Sequence, residues 1–308
     1  MSYYQQQNRR KLSIGEDGNA LTMLIAINLT AFVLLAFIKV IYYFTYGQEG
    51  VIVYTNKILN WVALPADFNK FLTRPWTLLT HMFAHDDVWH IVPNMLWLWA
   101  FGYILQDLTG NKKIFPVFLY GALAGALAFM VSYNIIPGLR VDLQGAKAIG
   151  ASAGIMSIAI ATTVMAPNYR IFPMINGGIP LWVITMIFVI IDLATIPYNN
   201  AGGHVAHLAG AGAGFLFMFL WRKGYDGSLW MDNFFSWVNN LFNPDKPKKG
   251  TSVKTQLFYK STVPPYKKRL QITQQKVDEI LEKIHQKGYQ SLTEDEKDVL
   301  KRASTEEL

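Results

Sequence analysis

The sequence predicts an all-α membrane protein in which six helices cross the bilayer and a small helical hairpin follows them. Of its 308 residues, 52% are hydrophobic and only 16% are charged, so the chain is too apolar for an ordinary soluble protein of this length. Six separate apolar runs are long enough to cross a hydrocarbon core, which takes roughly 17 to 25 residues. The C-terminal segment instead surrounds one apolar stripe with charged residues, as a small soluble helical unit does.

The six predicted spans make up a membrane domain over residues 20–222. They lie at about 20–44, 88–106, 114–133, 149–166, 179–197 and 204–221. An even number of spans puts both termini on the same side of the membrane. Basic residues near the span ends concentrate on that side: Arg9, Arg10, Lys11, Lys112, Lys113, Arg170, Arg222 and Lys223. Because basic residues favour the cytoplasmic side, we expect cytoplasmic termini and a cytoplasmic N-terminal tail over residues 1–19.

The remaining segments divide by composition. The loop 45–87 mixes aromatic and aliphatic residues with few charges, which favours a folded element lying partly in the membrane interface. Residues 223–243 predict an amphipathic helix on the membrane surface, and residues 244–271, rich in Lys, Pro, Ser and Thr, predict a linker. In residues 272–308, an apolar stripe and a capping-box pattern predict a cytoplasmic helical hairpin.

Composition also excludes several kinds of chemistry. The sequence contains no cysteine, so disulfides, thiol catalysis and thiolate metal sites are excluded. The formal charge of +7 is concentrated in the N-terminal tail and beyond residue 220, where it suits an anionic membrane surface better than a nucleic acid. The first apolar run starts late and has the length of a span, so no cleavable signal peptide is expected. We expect a lipid bilayer as partner and no cofactor, and the sequence favours no oligomeric state.

Ser152 opens the fourth span within the stretch "GASAG". Small residues at such a position are by themselves typical of helix packing in membranes. Two further polar clusters change that interpretation. The stretch "HDDVWHIVPN" places His90 and Asn94 one turn apart on the same helix face, and "AHLAG" places His207 early in the sixth span.

The topology predicts that these residues meet. Spans two, four and six all start on the non-cytoplasmic side, so His90, Asn94, Ser152 and His207 are expected at one depth below the outer surface. If the glycine-rich starts of spans four and six pack together, a neutral His207 can take the proton of Ser152. The backbone N–H at the start of span four, together with His90 and Asn94, would then offer hydrogen-bond donors to an oxyanion.

At this point the chain resembles the rhomboid family of intramembrane serine proteases over its six spans. The resemblance rests on "HIVPN" opening span two, "GASA" opening span four and "AHLAG" in span six. It implies a six-span rhomboid-like bundle with Ser152 as nucleophile and His207 as general base. It also implies an oxyanion and substrate-binding site that contains His90, Asn94, Gly150 and His85. The C-terminal hairpin resembles a short module found on some bacterial members, which points to the bacterial inner membrane.

Three positions depart from the family pattern. Ala153 replaces the glycine that usually follows the serine, and it is small enough to keep the close contact. Met156 stands where the family often has a tyrosine that stacks on the histidine; its thioether can pack on the ring of His207. The loop reads "RPWT" instead of the usual Trp-Arg, with Arg74 displaced, so the family's arginine brace does not carry over directly.

Asp192, near the outer end of span five, has two interpretations. It can orient His207 or His204, because intramembrane ionisable residues are functional candidates by default. The alternative, which the sequence favours somewhat, is a carboxyl close enough to the interface to stay hydrated. His204 is likewise expected at the interface, at the mouth of span six.

Other functions fit the sequence less well. A zinc site built from His81, His85 and His90 would need the HExxH pattern of metalloproteases, and "HIVPN" lacks its glutamate and second histidine, so no metal is expected. Presenilin-like aspartyl chemistry needs two intramembrane aspartates, whereas only Asp192 is placed plausibly here. A transporter would have polar residues at mid-depth along several spans, whereas here they are concentrated at one mouth. The main alternative is a catalytically inactive rhomboid-like protein that binds transmembrane clients, but such proteins typically lose the serine or the histidine. The sequence therefore predicts a serine endopeptidase that cleaves transmembrane segments of other membrane proteins through an acyl-enzyme.

Overall fold

The computed structural model describes residues 19–174, 177–198, 200–231, 233–234, 237 and 274–304. The chain divides into two compact units, Met1–Pro244 and Asp245–Leu308. The predicted N-terminal tail and the predicted linker lie outside the described residues, apart from Asn19, which caps the first helix through its side chain.

The first unit is a bundle of six long apolar helices joined by shorter elements. The long helices are α1 (Ala20–Tyr46), α6 (Val88–Thr109), α7 (Ile114–Ile135), α9 (Ser152–Met165), α10 (Leu181–Thr195) and α11 (Ala201–Arg222). The shorter helices are α2 (Glu49–Tyr54), α3 (Asn60–Val62), α4 (Phe68–Thr73), α5 (Thr77–Thr80) and α8 (Pro137–Arg140). The predicted all-α membrane bundle is confirmed.

Two of the six predicted spans are shorter than expected. Four helices have the length and hydropathy of a full span, whereas α9 has 14 residues and α10 has 15. At about 1.5 Å per residue, 14 residues rise only about 21 Å, less than the roughly 30 Å hydrocarbon core. The predictions of 149–166 and 179–197 were therefore too long at both spans.

Extended segments explain why these two helices start late. Before α9, strand β2 (Lys147–Ala148) pairs with β1 (Leu64–Pro65) in an antiparallel ladder. Before α10, β4 (Ile179–Pro180) pairs with β3 (Arg170–Ile171). Within the predicted spans, residues 149–151 and 179–180 belong to these non-helical segments, so they add apolar residues but no helical length. As a result, α9 begins only at Ser152.

The loop between α1 and α6 is folded, as predicted. It contains α2 to α5, a π-helical turn at Thr55–Leu59 and a 3₁₀ turn at His81–Phe83. The rings of Trp61 and Trp76 stack at 5.8 Å, and the guanidinium of Arg74 lies 4.5 Å from the Trp61 ring. Arg74 also donates a hydrogen bond of 2.8 Å to the carbonyl of Asn60. The displaced arginine therefore still braces the loop.

Helices α7, α9 and α11 pack closely through small residues. A Cβ added at Gly210 of α11 would lie 2.2 Å from the carbonyl oxygen of Ala153, and one at Gly214 would lie 2.1 Å from that of Ser157. On α7, a Cβ at Gly125 would lie 2.6 Å from the Cβ of Ala153. Only hydrogen fits at these positions, because any Cβ would overlap the neighbouring backbone or side chain. The start of α9 is thereby held between α7 and α11.

A buried polar cluster anchors the chain after α11. Lys113 is only 8% exposed, and its ammonium group donates hydrogen bonds to Asp226 and, at 2.6 Å, to Ser228 Oγ. Residues 229–231, 233, 234 and 237 beyond this cluster are helical, and the other residues of the predicted interfacial helix after 231 lie outside the described part.

The second unit contains α12 (Gln274–Lys287), a 3₁₀ turn at Tyr289–Ser291 and α13 (Glu294–Ala303). Ile280, Leu292 and Val299 form its small core. Thr293 and Glu296 make the predicted capping box. The Lys283 ammonium, 2.7 Å from Glu296, and the backbone N–H of Thr293 lower the pKa of the Glu296 carboxyl to about 2. The predicted helical hairpin is present.

Candidate active site

Ser152 is the first residue of α9, and the turn before it is shaped by Gly150. Gly150 has φ of +110°, a backbone conformation that L side chains rarely adopt. A Cβ at this position would also lie 2.7 Å from the ring of His90. The Gly150 N–H donates to the carbonyl of His81 at 2.9 Å, so it is not available to a substrate. Gly150 therefore allows the tight turn before Ser152 and offers no hydrogen-bond donor to a substrate. The helix α9 starts directly after this turn, at the serine.

His207 reaches Ser152 from α11. Its Nε2 lies 2.6 Å from Ser152 Oγ, a short hydrogen bond between side chains 55 positions apart in the sequence. The two residues meet because the contact of Gly210 with Ala153 brings the helices together one turn below. The His207 side chain is 25% exposed, so the pair lies at the mouth of the bundle and can be reached by water.

Asp192 of α10 lies behind His207 and is buried. Its Oδ1 is 2.9 Å from His207 Nδ1 and 2.7 Å from His204 Nδ1. An ionised carboxylate only accepts hydrogen bonds, so both imidazoles donate their Nδ1–H to it. His207 Nε2 is then left with a lone pair directed at the Ser152 hydroxyl. A carboxylate orients the base of serine hydrolases in the same way.

The interpretation of Asp192 as a hydrated interfacial carboxyl is corrected by this geometry. Asp192 is only 6% exposed, and helix α10 is shorter than predicted, with the carboxyl turned towards α11. His204 is not simply interfacial either, because it shares the Asp192 oxygen with His207.

His90, Asn94 and His85 form the opposite wall. The amide of Asn94 donates to His85 Nε2 at 3.1 Å, and the N–H of Ala151 approaches the same nitrogen at 3.4 Å. His85 is fully buried, and burial lowers its pKa to about 4, so the ring is neutral at pH 7. The His90 ring packs edge-on against His85, with centroids 5.0 Å apart. His85 thus holds Asn94 and His90 in place.

These walls enclose a cavity of about 320 Å³. It is lined by His81, His90, Pro93, Asn94, Gly125, Ala126, Lys147, Ala148, Ile149, Gly150, Ser152, Ala153, Asn200, Gly203, Ala206 and His207. His85 and Asp192 are not among them; they support the lining residues from behind. The cavity gives an extended peptide segment room beside the Ser152 hydroxyl.

Two polar lining residues, Lys147 and Asn200, were not predicted from the sequence. Lys147, in strand β2, donates a 3.0 Å hydrogen bond to Asn60 Oδ1, and burial lowers its pKa. Asn200 adopts φ of +44° and caps α11 by accepting from the Gly203 N–H. An asparagine just before a helix is a readable capping signal. Nothing in the sequence relates Lys147 to the site.

Met156 and His81 are both buried. Met156 is buried in α9, one turn after Ser152, while the hydrogen bond that orients His207 comes from Asp192. His81 is buried and its Nδ1–H donates to the carbonyl of Thr77 at 2.9 Å, so this nitrogen is not free for a metal.

Comparison with known proteins fits this geometry. A model of the rhomboid domain matches residues 72–224, the segment that carries His90, Asn94, Ser152, Asp192 and His207. The chain contains a rhomboid domain. Residues 265–306 match a family of unknown function, DUF6576.

Several curated proteins are similar to the rhomboid domain of this chain. Rhomboid protein 1, mitochondrial, of Saccharomyces cerevisiae is 28% identical over 159 residues, or 48% of this chain and 42% of that protein. RHOMBOID-like protein 12, mitochondrial, of Arabidopsis thaliana is 26% identical over 157 residues, covering 48% and 47%. Rhomboid protease GlpG of Serratia proteamaculans is 25% identical over 107 residues, covering 29% and 38%. The chain therefore spans less than half the length of these relatives. The rhomboid domain and the long apolar helices are those of an integral membrane protein.

Proposed function

We propose that the protein is an intramembrane serine endopeptidase with Ser152 as nucleophile and His207 as general base and acid. The observation that carries the proposal is the hydrogen-bonded chain from Ser152 Oγ to His207 Nε2 and from His207 Nδ1 to Asp192, with distances of 2.6 and 2.9 Å. This chain opens into the 320 Å³ cavity at the mouth of the bundle. Asp192 acts as a positioning residue that fixes the tautomer and direction of the His207 ring.

The reaction follows from these positions. Ser152 Oγ attacks the carbonyl carbon of a peptide bond while its proton passes to His207 Nε2. His207 then gives this proton to the leaving amine, the C–N bond breaks and an ester to Ser152 remains. A water molecule from the outer mouth attacks that ester and loses a proton to His207, which returns it to Ser152 Oγ as the acid product leaves.

Charge on the attacked carbonyl oxygen is stabilised by donors facing the cavity. The backbone N–H of Ser152 lies in the first turn of α9, where the helix dipole favours negative charge. The Asn94 amide has two N–H groups, one on His85 and one for the substrate. His90 lines the same wall. Loss of one such donor raises the barrier by on the order of 3 kcal/mol in comparable sites.

The substrates proposed are transmembrane segments of other membrane proteins, cut near their outer ends. An intact helix hides its amides in its own hydrogen bonds, so a segment must unwind locally before Ser152 can reach a carbonyl. The position of Ser152 supports this, because the serine is half-buried and lines a cavity that water can enter.

The proposed location is a bacterial inner membrane with both termini in the cytoplasm, supported by the basic residues at the inner span ends. The chain has no cysteine, so single cysteines report cleanly. In intact bacterial cells a membrane-impermeant maleimide should label exposed Asn69→Cys but not Lys223→Cys unless the cells are lysed. The reverse pattern would invert the topology.

The decisive test of the function is reconstitution of the purified protein with a model transmembrane substrate. The wild type should cleave it, and Ser152→Ala and His207→Ala should each lose at least about 10³-fold in rate while staying folded. Equal cleavage by all three proteins would reject the Ser152–His207 pair.

A further inference from the structure

We propose that Asp192, His204 and His207 form a binding site for Zn²⁺ and that zinc bound there switches the enzyme off. The inhibitory part rests on the proposed protease function; the binding part does not. Each of the three residues offers one ligand atom, and these atoms all lie within 4.8 Å of one another. Two imidazole nitrogens and one carboxylate oxygen are a ligand set that zinc commonly takes, with a fourth position left to water.

The arrangement of the rings suits a shared ion. The His204 and His207 rings are nearly perpendicular, with an interplanar angle of 88° and centroids 5.9 Å apart, and both Nδ1 atoms face the same Asp192 oxygen. Ligand atoms around tetrahedral zinc lie roughly 3.3 Å apart, given metal–ligand bonds of about 2.0–2.2 Å. The two histidine–carboxylate contacts, at 2.7 and 2.9 Å, need to open by only about half an ångström.

An ion can also reach the site. The side chains of His204 and His207 are 17% and 25% exposed, while that of Asp192 is 9% exposed. Thr195 Oγ1 lies 3.3 Å from His204 Nδ1 and can hold a water molecule that completes the coordination. The carboxylate supplies negative charge in a partly buried position, and each neutral imidazole supplies a lone pair once its Nδ1 proton has left.

Binding at this site is incompatible with base catalysis. In the free enzyme the proton of His207 is on Nδ1 and its Nε2 accepts from Ser152. Zinc takes the place of the Nδ1 proton, so the neutral ring must carry its proton on Nε2. That nitrogen then donates to Ser152 Oγ and cannot receive the serine proton. Zinc also takes Asp192 away from its positioning role.

The position of His204 supports a metal site that is distinct from the catalytic Ser152–His207 pair. Orienting His207 requires only Asp192, yet a second histidine shares the same oxygen at a shorter distance. His204 does not line the cavity, so it has no evident role towards a peptide. A second nitrogen ligand turns a two-residue hydrogen bond into a three-ligand metal site.

The test is calorimetric titration of ZnCl₂ into the full-length protein, purified in detergent without a polyhistidine tag or chelator. Wild type and Ser152→Ala should bind one ion with the same affinity, and His204→Gln should bind at least tenfold more weakly. His285→Gln removes an exposed histidine of the C-terminal unit and serves as the matched control. It should bind like the wild type. Co²⁺ in place of Zn²⁺ should give the visible absorption bands of a tetrahedral site in the wild type, Ser152→Ala and His285→Gln, but not in His204→Gln.

Activity provides a second, separate readout. Zinc should inhibit cleavage by the wild type, a chelator should restore it, and His204→Gln should need at least tenfold more zinc for half inhibition relative to its own zinc-free rate. Absence of zinc binding in the wild type, or equal binding by His204→Gln, would overturn the proposal even if the enzyme cleaves. If zinc binds as described but no cleavage occurs, the protease function fails and the metal site stands.

Discussion

Two of the polar clusters in the bundle have different roles. At one end of the bundle, Ser152, His207, Asp192 and His204 form a chain of hydrogen bonds that ends in a cavity. After α11, Lys113, Asp226 and Ser228 form a closed set in which each group is bonded to another member. Both clusters hold ionisable groups at low exposure. Only the first combines a hydroxyl, an adjacent base and an open space for a substrate.

The electrostatics of the second cluster are those of a structural anchor. Burial alone would raise the pKa of Asp226, but the hydrogen bonds from Lys113 and Ser228 outweigh it and hold the pKa below its ordinary value. Buried polar residues in a membrane bundle therefore indicate a functional site only when one of their groups faces a cavity.

The largest expected effect that separates the clusters is on catalysis. Asp192→Asn should lower the cleavage rate by about 10²-fold, because the amide no longer fixes the His207 tautomer, a loss that is larger still in some serine proteases. Thermal stability should change little, and Asp192→Glu should recover part of the rate. Unchanged turnover and an unchanged pH profile in Asp192→Asn would remove Asp192 from the mechanism.

A substitution in the Lys113–Asp226–Ser228 cluster should instead affect stability and leave catalysis intact. Lys113→Met leaves Asp226 without its cation and should cost about 2 kcal/mol of stability, less than for a fully buried pair because Asp226 is 22% exposed. Unfolding in detergent measures this loss. The rate per folded molecule should stay near that of the wild type; a drop as large as that of Asp192→Asn would contradict the division into two clusters.

The next largest effect is expected from the contact between α11 and the start of α9. Gly210→Ala inserts a Cβ 2.2 Å from the Ala153 carbonyl oxygen, so α11 must move away from the start of α9. We expect a loss of about 1–3 kcal/mol in stability and a reduced rate.

Gly212→Ala is the matched control for this substitution, since a Cβ there meets no other atom within 4 Å. It should be neutral or slightly stabilising, because alanine is the better helix former. Equal behaviour of the two variants, in melting temperature and in rate, would show that the contact with Ala153 does not position the site.

The last prediction concerns the dependence of stability on pH. Burial lowers the pKa of His81 from 6.5 to about 4, so the unfolded chain binds a proton between these values that the folded chain does not. Stability should therefore fall as the pH falls from 6.5 towards 4, by about 1.4 kcal/mol per unit for this group at most. His85 behaves alike, so His81→Gln should remove about half of the slope of melting temperature against pH. An unchanged slope would contradict the assignment.

Much of this organisation is readable from the sequence because three motifs fall on alternate spans. Apolar runs locate the helices, and their direction places Ser152, His207, His90 and Asn94 at one mouth. The lengths of α9 and α10 are not readable, since residues 149–151 and 179–180, just before them, carry no charge yet are not helical. Their pairing with β1 and β3 depends on distant parts of the chain.

The role of Asp192 in the site could not be predicted from the sequence for a similar reason. A carboxylate near a span end is equally consistent with a hydrated surface and with a buried partner, because hydropathy assigns neither depth nor direction. Its role depends on how α10 packs on α11, a tertiary property. Lys147 lines the cavity only because β2 pairs with β1, and no local sequence pattern predicts this pairing.

The most direct test of the central claim is covalent labelling of the full-length protein with a fluorophosphonate, read by intact mass and peptide mapping. A serine activated by His207 should give one adduct on Ser152 in the wild type, and His207→Ala should react at least about 10³-fold more slowly although its serine is intact. Asp192→Asn should lie between the two. No adduct on Ser152 in the wild type, or equal labelling rates in wild type and His207→Ala, would contradict the account.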